Sequence, residues 1–207
     1  MRRWIAWAAV AGAGVAGLAL AAASLGPRVG AEGGAKRAPS RTPDCVYVGT
    51  PYDVIDKMVD VAEIQPGDVV YDLGCGDARI LVSAAKRHGC RCVGFDINPV
   101  RVDEALENAR KNGVSDLVKV EERDIFTVDL EGATVVMLYL LPKMNERLIP
   151  QLKKLKPGAR IVSHDYGIAG IREEKEYEID SLEDGVRHYI YLYRAPLEEE
   201  SSSEESS

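Results

Sequence analysis

The chain has no surplus of positive charge, no internal repeat and little cysteine, and each lack removes a class of function. Its 26 Lys and Arg stand against 33 Asp and Glu, a net charge of −7. Nothing here forms the basic footprint that nucleic acid requires, and no nucleic-acid partner is expected. Five of the negative charges fall in the last ten residues, at Glu198, Glu199, Glu200, Glu204 and Glu205, so the rest of the chain is near neutral. Without a repeat, a solenoid or propeller is excluded. The four cysteines include Cys90-x-Cys92, yet no second Cys or His pair stands at a metal-binding spacing. They read as thiols, which are ordinary in a reducing compartment, and no metal is expected. Nowhere does the G-x-x-x-x-G-K-[ST] of a P-loop occur.

What is present divides the 207 residues into one domain with tails. Arg2-Arg3 precede an apolar stretch from Trp4 to about Leu25, long enough to span a bilayer as a helix. Ala21-Ala-Ala23 also offers small residues for signal cleavage. Residues 1–25 are thus an anchor or a signal. Residues 26–43 form a Gly/Pro/Ala linker, residues 44–195 a folded domain, and residues 196–207 an acidic Glu/Ser tail that cannot bury a core. Basic residues flank the apolar stretch on both sides, so charge alone does not orient it.

Within the domain, Val54, Ile55, Met58, Val59 and Ala62 follow helical spacing after Pro51. Strands are expected at Val69–Tyr71, Arg91–Phe95, Val118–Glu122, Thr134–Tyr139 and Arg160–Ser163. Helices are expected at Arg79–His88, Pro99–Lys111 (with Asn98 as N-cap) and Pro142–Leu155. Glu174–Asp180 and Arg187–Tyr193 alternate polar and apolar residues and read as an antiparallel pair. The expected fold is α/β, a Rossmann-like three-layer sandwich on a seven-stranded, mostly parallel sheet with an antiparallel C-terminal hairpin.

The chemistry concentrates at Asp72-Leu-Gly-Cys-Gly-Asp-Ala-Arg79. An acidic residue ends a strand, two glycines turn the backbone, and a helix begins, whose first N–H groups are free. This is how a nucleotide-type cofactor loop is built at the first strand-to-helix turn. A dinucleotide loop needs a third glycine for close helix packing, but that position holds Arg79, which argues against NAD. Alanine at 78 argues against a left-handed backbone there. Asp96 and Asp124 end the second and third strands as Asp72 ends the first. Singly, each reads equally as a turn former.

Together these residues resemble the first motifs of the class I S-adenosylmethionine (SAM) methyltransferases, over about residues 44–195. The resemblance implies SAM as cofactor. It places the ribose hydroxyls on Asp96, the adenine amino group at Asp124, and Ile125 against the ring. It assigns Thr50, Asp72, Gly74, Gly76, Asp77, Arg79 and Asn98 to the same site. The combination of hydrophobic N-terminus, linker and compact domain, with Thr50-Pro51 before the first helix, is most similar to small membrane-tethered protein-lysine methyltransferases. Because SAM is made in the cytosol, the resemblance favours a membrane-anchored chain with a cytosolic domain, export after signal cleavage being the alternative.

Candidate groups for the methyl acceptor stand at the carboxyl ends of the fourth and fifth strands, the ligand edge of such sheets. They are Tyr139, His164 and Asp165, each with a structural alternative as a core or strand-end residue. The Asn-Pro-Pro-Tyr that accompanies methylation of planar amino groups is absent after the fourth strand, where only Leu141-Pro142 stands. Cys45–Val61 is the only candidate lid, which leaves an open pocket suited to a protein surface. The expected acceptor is a protein lysine. A small molecule, such as a lipid or quinone head, or a degenerate SAM-binding module at the membrane, are the alternatives.

Overall fold

The computed structural model describes residues 42–200. The apolar stretch at 1–25, most of the linker and residues 201–207 lie outside them. Among the described residues no helix is long and apolar enough to cross a membrane.

Seven strands form one sheet: β1 (Val69–Leu73), β2 (Arg91–Asp96), β3 (Val118–Glu122), β4 (Val135–Leu138), β5 (Arg160–His164), β6 (Lys175–Asp180) and β7 (Arg187–Arg194). Their order is β3-β2-β1-β4-β5-β7-β6. The first five are parallel, and β7 runs antiparallel to both β5 and β6. Chain order reverses between β1 and β4, which opens a crevice above the carboxyl ends of the strands.

Four α-helices lie among the described residues: α1 (Tyr52–Val61), α2 (Arg79–His88), α3 (Pro99–Lys111) and α4 (Pro142–Leu152). Strand side chains alternate between the two faces of the sheet. Val70, Val135, Met137 and Val162 therefore pack with Val54, Met58, Leu81 and Ala105 of α1, α2 and α3. Leu73, Phe95, Val136, Leu138 and Ile161 pack with Leu148 and Leu152 of α4 on the other face. These are the three expected layers. At the amino ends of the strands, buried Asp68 accepts from Thr134 Oγ1 (2.6 Å) and Arg160 (2.6 Å). Burial raises the Asp68 pKa, but these hydrogen bonds and the Arg160 charge together hold it below the ordinary carboxylate value.

Three expectations need correction. Helix α4 stops at Leu152 rather than Leu155, giving way to a turn in which Lys153 and Lys154 donate to Ile149 and Gln151. The acidic tail begins later than residue 196. Glu198 pairs with Arg172, Glu199 pairs with Lys153 and bridges to Ile171, and the Glu200 amide donates to Gly170. Those cations offset the charge that composition alone counts against order. Finally, Ala78 is left-handed, with φ of 58°. Its amide donates to Cys75 and its carbonyl accepts from Val82. These two bonds hold a conformation that costs alanine about 1–2 kcal/mol.

Candidate active site

The site is built outward from Asp96. Its Oδ2 accepts from Gly76 N (3.0 Å) and its Oδ1 from Asn98 N (2.8 Å). The carboxylate thus ties the glycine loop after β1 to the loop after β2. Gly74 and Cys75 amides both donate to the Phe95 carbonyl, which fixes the loop from its other side. Asn98 caps α3 as expected, accepting from Val100 N. Gly74 and Gly76 have φ of 81° and 55°, which glycine adopts without strain. At Gly76 a side chain is excluded as well, since a Cβ there would stand 2.2 Å from the Tyr47 ring.

Above this loop is a cavity of about 610 Å³, within the range of small-ligand sites. Asp72, Gly74, Asp77, Arg79, Asp96 and Asn98 line it from the first two strand ends. Asp124 and Ile125 line it from the end of β3, and Thr50 from the segment before α1. Gly76 instead lies beneath Tyr47. Asp124 caps the short turn Ile125–Thr127 by accepting from Phe126 N.

Asp72 stands inside β1, not at its end, and is buried. Burial pushes its pKa up to about 8, with the charges of Asp96 and Asp77 adding to the effect. Burial also raises Asp96, more than its backbone N–H donors lower it. Asp77 is held below the ordinary value by Arg79 despite burial. A cavity with this many carboxylates suits a cationic ligand and repels a pyrophosphate, which agrees with the sequence argument against NAD. The bare backbone over Gly74, the ribose-type acceptor Asp96 and apolar Ile97 and Ile125 fit SAM.

Residues 43–50 wall the cavity, and of these Cys45 to Thr50 belong to the expected lid. Arg79 carries much of this contact. It ion-pairs with Asp77 (2.8 Å) and donates to the Thr50 carbonyl (3.0 Å). Its guanidinium lies so close to Gly49 that a Cβ there would meet it at 2.6 Å. Tyr47, which the sequence reading did not single out, sits on Gly76 and under the Arg101 cation, 4.6 Å from the ring centroid.

Of the three acceptor candidates only Tyr139 lines the cavity. Burial, then nearby Asp165, pushes its phenol up to about 12, so it stays protonated. His164 is fully buried behind it, with ring centroids 4.0 Å apart. Burial pushes His164 down to about 4, against the pull of Asp165, so the ring is neutral. Its Nδ1 meets Thr50 Oγ1 at 3.3 Å and its Nε2 meets His188 Nδ1 at 3.0 Å. Asp165 sits just past β5 with φ of 57°. Asn145 of α4, buried, donates to the Tyr166 and Gly167 carbonyls and so braces the loop that carries Asp165. His188 was the clearest omission of the sequence reading. Its only sequence signal is a polar residue in phase with inward-facing Ile190 and Leu192.

The family profile of the ANTKMT methyltransferase domain matches residues 72–175. A protein-lysine N-methyltransferase of Saccharolobus islandicus is 44% identical over 157 residues, covering 74% of this chain and 96% of that protein. The adenine nucleotide translocase lysine N-methyltransferase of Mus musculus is 33% identical over 157 residues, covering 75% of this chain and 65% of its own length. A Salinibacter ruber structure described as an RNA methyltransferase in complex with S-adenosyl-L-homocysteine is 41% identical, covers 74% of this chain and 97% of its own, and superposes with a TM-score of 0.68. With a sheet order, a glycine loop and a carboxylate-lined cavity that fit the same cofactor, the chain belongs to the ANTKMT methyltransferase-domain family and is a SAM-dependent methyltransferase of the class I, seven-stranded type.

Proposed function

We propose that the chain methylates the side-chain amine of protein lysines, at a membrane to which residues 1–25 attach it. The observation that supports the acceptor is the pairing of Tyr139 with Asp165 at the carboxyl ends of β4 and β5. An amine acceptor arrives as a cation, must be oriented, and must lose a proton before it attacks. Tyr139 presents an uncharged hydroxyl at the cavity wall, and Asp165, partly exposed, supplies the negative charge. His164 acts from behind by packing on Tyr139. Asp96, Asp124 and Ile125 would hold the ribose and adenine, and Asp72 would face the positive charge of the cofactor. Bound SAM supplies an electrophilic methyl group on a sulfonium. The exposed residues Leu141 and Tyr166, adjoining Leu140 and Asp165, form an apolar margin suited to a protein surface. An RNA acceptor would need a basic surface, and the net charge of −7 argues against one.

The full chain, incubated with tritiated SAM and the protein and RNA fractions of its source cells, is expected to place label that survives acid hydrolysis as methyl-lysine. Label confined to RNA or to a lipid extract would overturn the reading. For the anchor, the full chain should stay with membranes through alkaline carbonate, while a chain starting at residue 42 should wash out. Protease added outside intact cells should leave the domain uncut. Release of the full chain by carbonate would remove the anchor from the account, and digestion from outside would place the domain on the other side.

A further inference from the structure

Behind Tyr139 runs a line of polar groups that packing alone does not require. His188 lies on β7, buried, with only Ile179 opposite it on β6. Its Nδ1 is 3.2 and 3.1 Å from the two oxygens of Asp165 and 3.0 Å from His164 Nε2. Its Nε2 is 3.1 Å from Asp184 Oδ2, in the turn between β6 and β7. The side chain of Asp165 is 22% exposed and that of Asp184 41%. So one nitrogen of a buried imidazole faces the acceptor edge and the other is held by a carboxylate at the surface. Burying such groups is costly unless every one is hydrogen-bonded, and Asp165 adds a left-handed backbone that non-glycine residues rarely adopt. Asp165 makes use of that turn. Its amide donates to the Tyr189 carbonyl, and its Oδ1 accepts from Tyr189 N, which aims the carboxylate at His188.

We propose that His188, kept by Asp184 in the tautomer with its proton on Nε2 and a bare Nδ1 toward Asp165, holds the proton of the acceptor amine during methyl transfer. This rests on the lysine reading above. His188 touches no substrate; it acts through Asp165 and is a positioning residue in that sense. In the step, one N–H bond of the lysine ammonium breaks and an O–H bond forms on Asp165. That proton passes to His188 Nδ1, giving an imidazolium between two carboxylates, while Nε2–H remains on Asp184. The amine lone pair is then free to attack. After the product leaves, the Nδ1 proton returns through Asp165, now open to water. One proton moves from amine to solvent and nothing is oxidised or reduced. The groups that face His188 are His164 and Asp165 from the end of β5 and Asp184 from the hairpin turn. Burial lowers the His188 pKa, but the hydrogen bonds and charges of Asp165 and Asp184 outweigh it and leave the pKa raised. His164 stays neutral and donates or accepts without competing for the charge.

The test uses the full chain, poly-L-lysine as acceptor probe, and pH 6 to 10. His188→Gln keeps an amide donor for Asp184 but cannot take a proton. Its kcat should fall roughly 100-fold at pH 8, the scale of general acid–base contributions; that pH lies above the ordinary imidazole range, where the wild-type ring is free to take the proton. The deficit should shrink to under about tenfold by pH 10, where about a third of the amine arrives deprotonated, with KM and S-adenosylhomocysteine affinity little changed. In histidine 15N NMR of the wild type, His188 should titrate above its ordinary value and Asp184→Asn should lower that titration. This second reading needs no active variant. A lysine-active wild type whose His188→Gln variant loses the same factor at every pH overturns the proposal alone. So does an Asp184→Asn variant with unmoved His188 titration, or a stoichiometric metal bound by His164, Asp165 and His188, whose donor atoms lie within 4.8 Å of one another. A wild type that labels RNA but no lysine overturns the lysine reading, and this proposal with it.

Discussion

Asp96→Ala should weaken SAM binding by roughly 100-fold or more in a calorimetric titration, while the protein stays folded. The carboxylate does two things at once. It organises the site by accepting from Gly76 N and Asn98 N, and in the bound state it is expected to accept from the ribose hydroxyls. A hydrogen bond to a charged group contributes about 1.5–3 kcal/mol, so losing two of them reaches roughly 100-fold. The loops that Asp96 ties together would also loosen, which adds to the loss. Asp96→Asn retains one acceptor oxygen and should fall between, at roughly tenfold. The core beneath the loop, Leu73, Phe95 and Leu81, does not depend on this side chain, so the thermal midpoint should move by only a few degrees. Unchanged affinity in Asp96→Ala would place the ribose elsewhere.

The second large effect is a pH dependence of binding set by Asp72. In the unliganded protein burial holds its pKa at about 8, well above an ordinary carboxylate. At pH 7 most of the unliganded protein therefore carries Asp72 protonated. A cofactor bearing a sulfonium and an ammonium favours the ionised form, so binding releases a proton and affinity rises with pH. Between pH 6 and 7, where an α-amino group is still mostly protonated, the gain should approach roughly 10-fold by linkage. Stability of the unliganded fold follows the opposite course. With a folded pKa above the unfolded one, the contribution of Asp72 is fully present below the ordinary carboxylate pKa and is lost as pH rises through about 8. The thermal shift on adding SAM should accordingly grow over the same interval. Titrations at pH 7 in two buffers of different ionisation enthalpy should report the released proton, and Asp72→Asn should abolish it. A wild-type affinity flat from pH 6 to 7 would contradict this role.

The cofactor half of the site was legible in the sequence because its parts are local. Each acidic residue stands at or near the end of its own strand, the glycines sit in one eight-residue stretch, and a parallel sheet brings the carboxyl ends of its strands together. Asp72, Asp96 and Asp124 needed only the topology to converge on one cavity. The acceptor half depends on pairings far apart in the chain. His164 and His188 meet because β7 inserts antiparallel between β5 and β6, a register that no local pattern states. The alternation of His188, Ile190 and Leu192 did mark an inward face, but a polar residue on it reads as an ordinary strand end. Ala78 failed for a different reason. Steric preference argues against a left-handed alanine, yet bonds to Cys75 and from Val82 on either side leave it no other course. Residues 196–200 misled through composition, since Arg172 and Lys153, which fix Glu198 and Glu199, are distant in sequence.

One cavity runs from Asp96 to Tyr139, and the central claim is that cofactor and acceptor meet there, with Asp165 beside Tyr139. A crystal structure of the chain with S-adenosylhomocysteine tests it most directly. The ribose hydroxyls should lie on Asp96, the adenine against Ile125 with its amino group at Asp124, and the sulfur should face Tyr139. A ribose away from Asp96, or a sulfur turned from Tyr139 toward another wall, would contradict it.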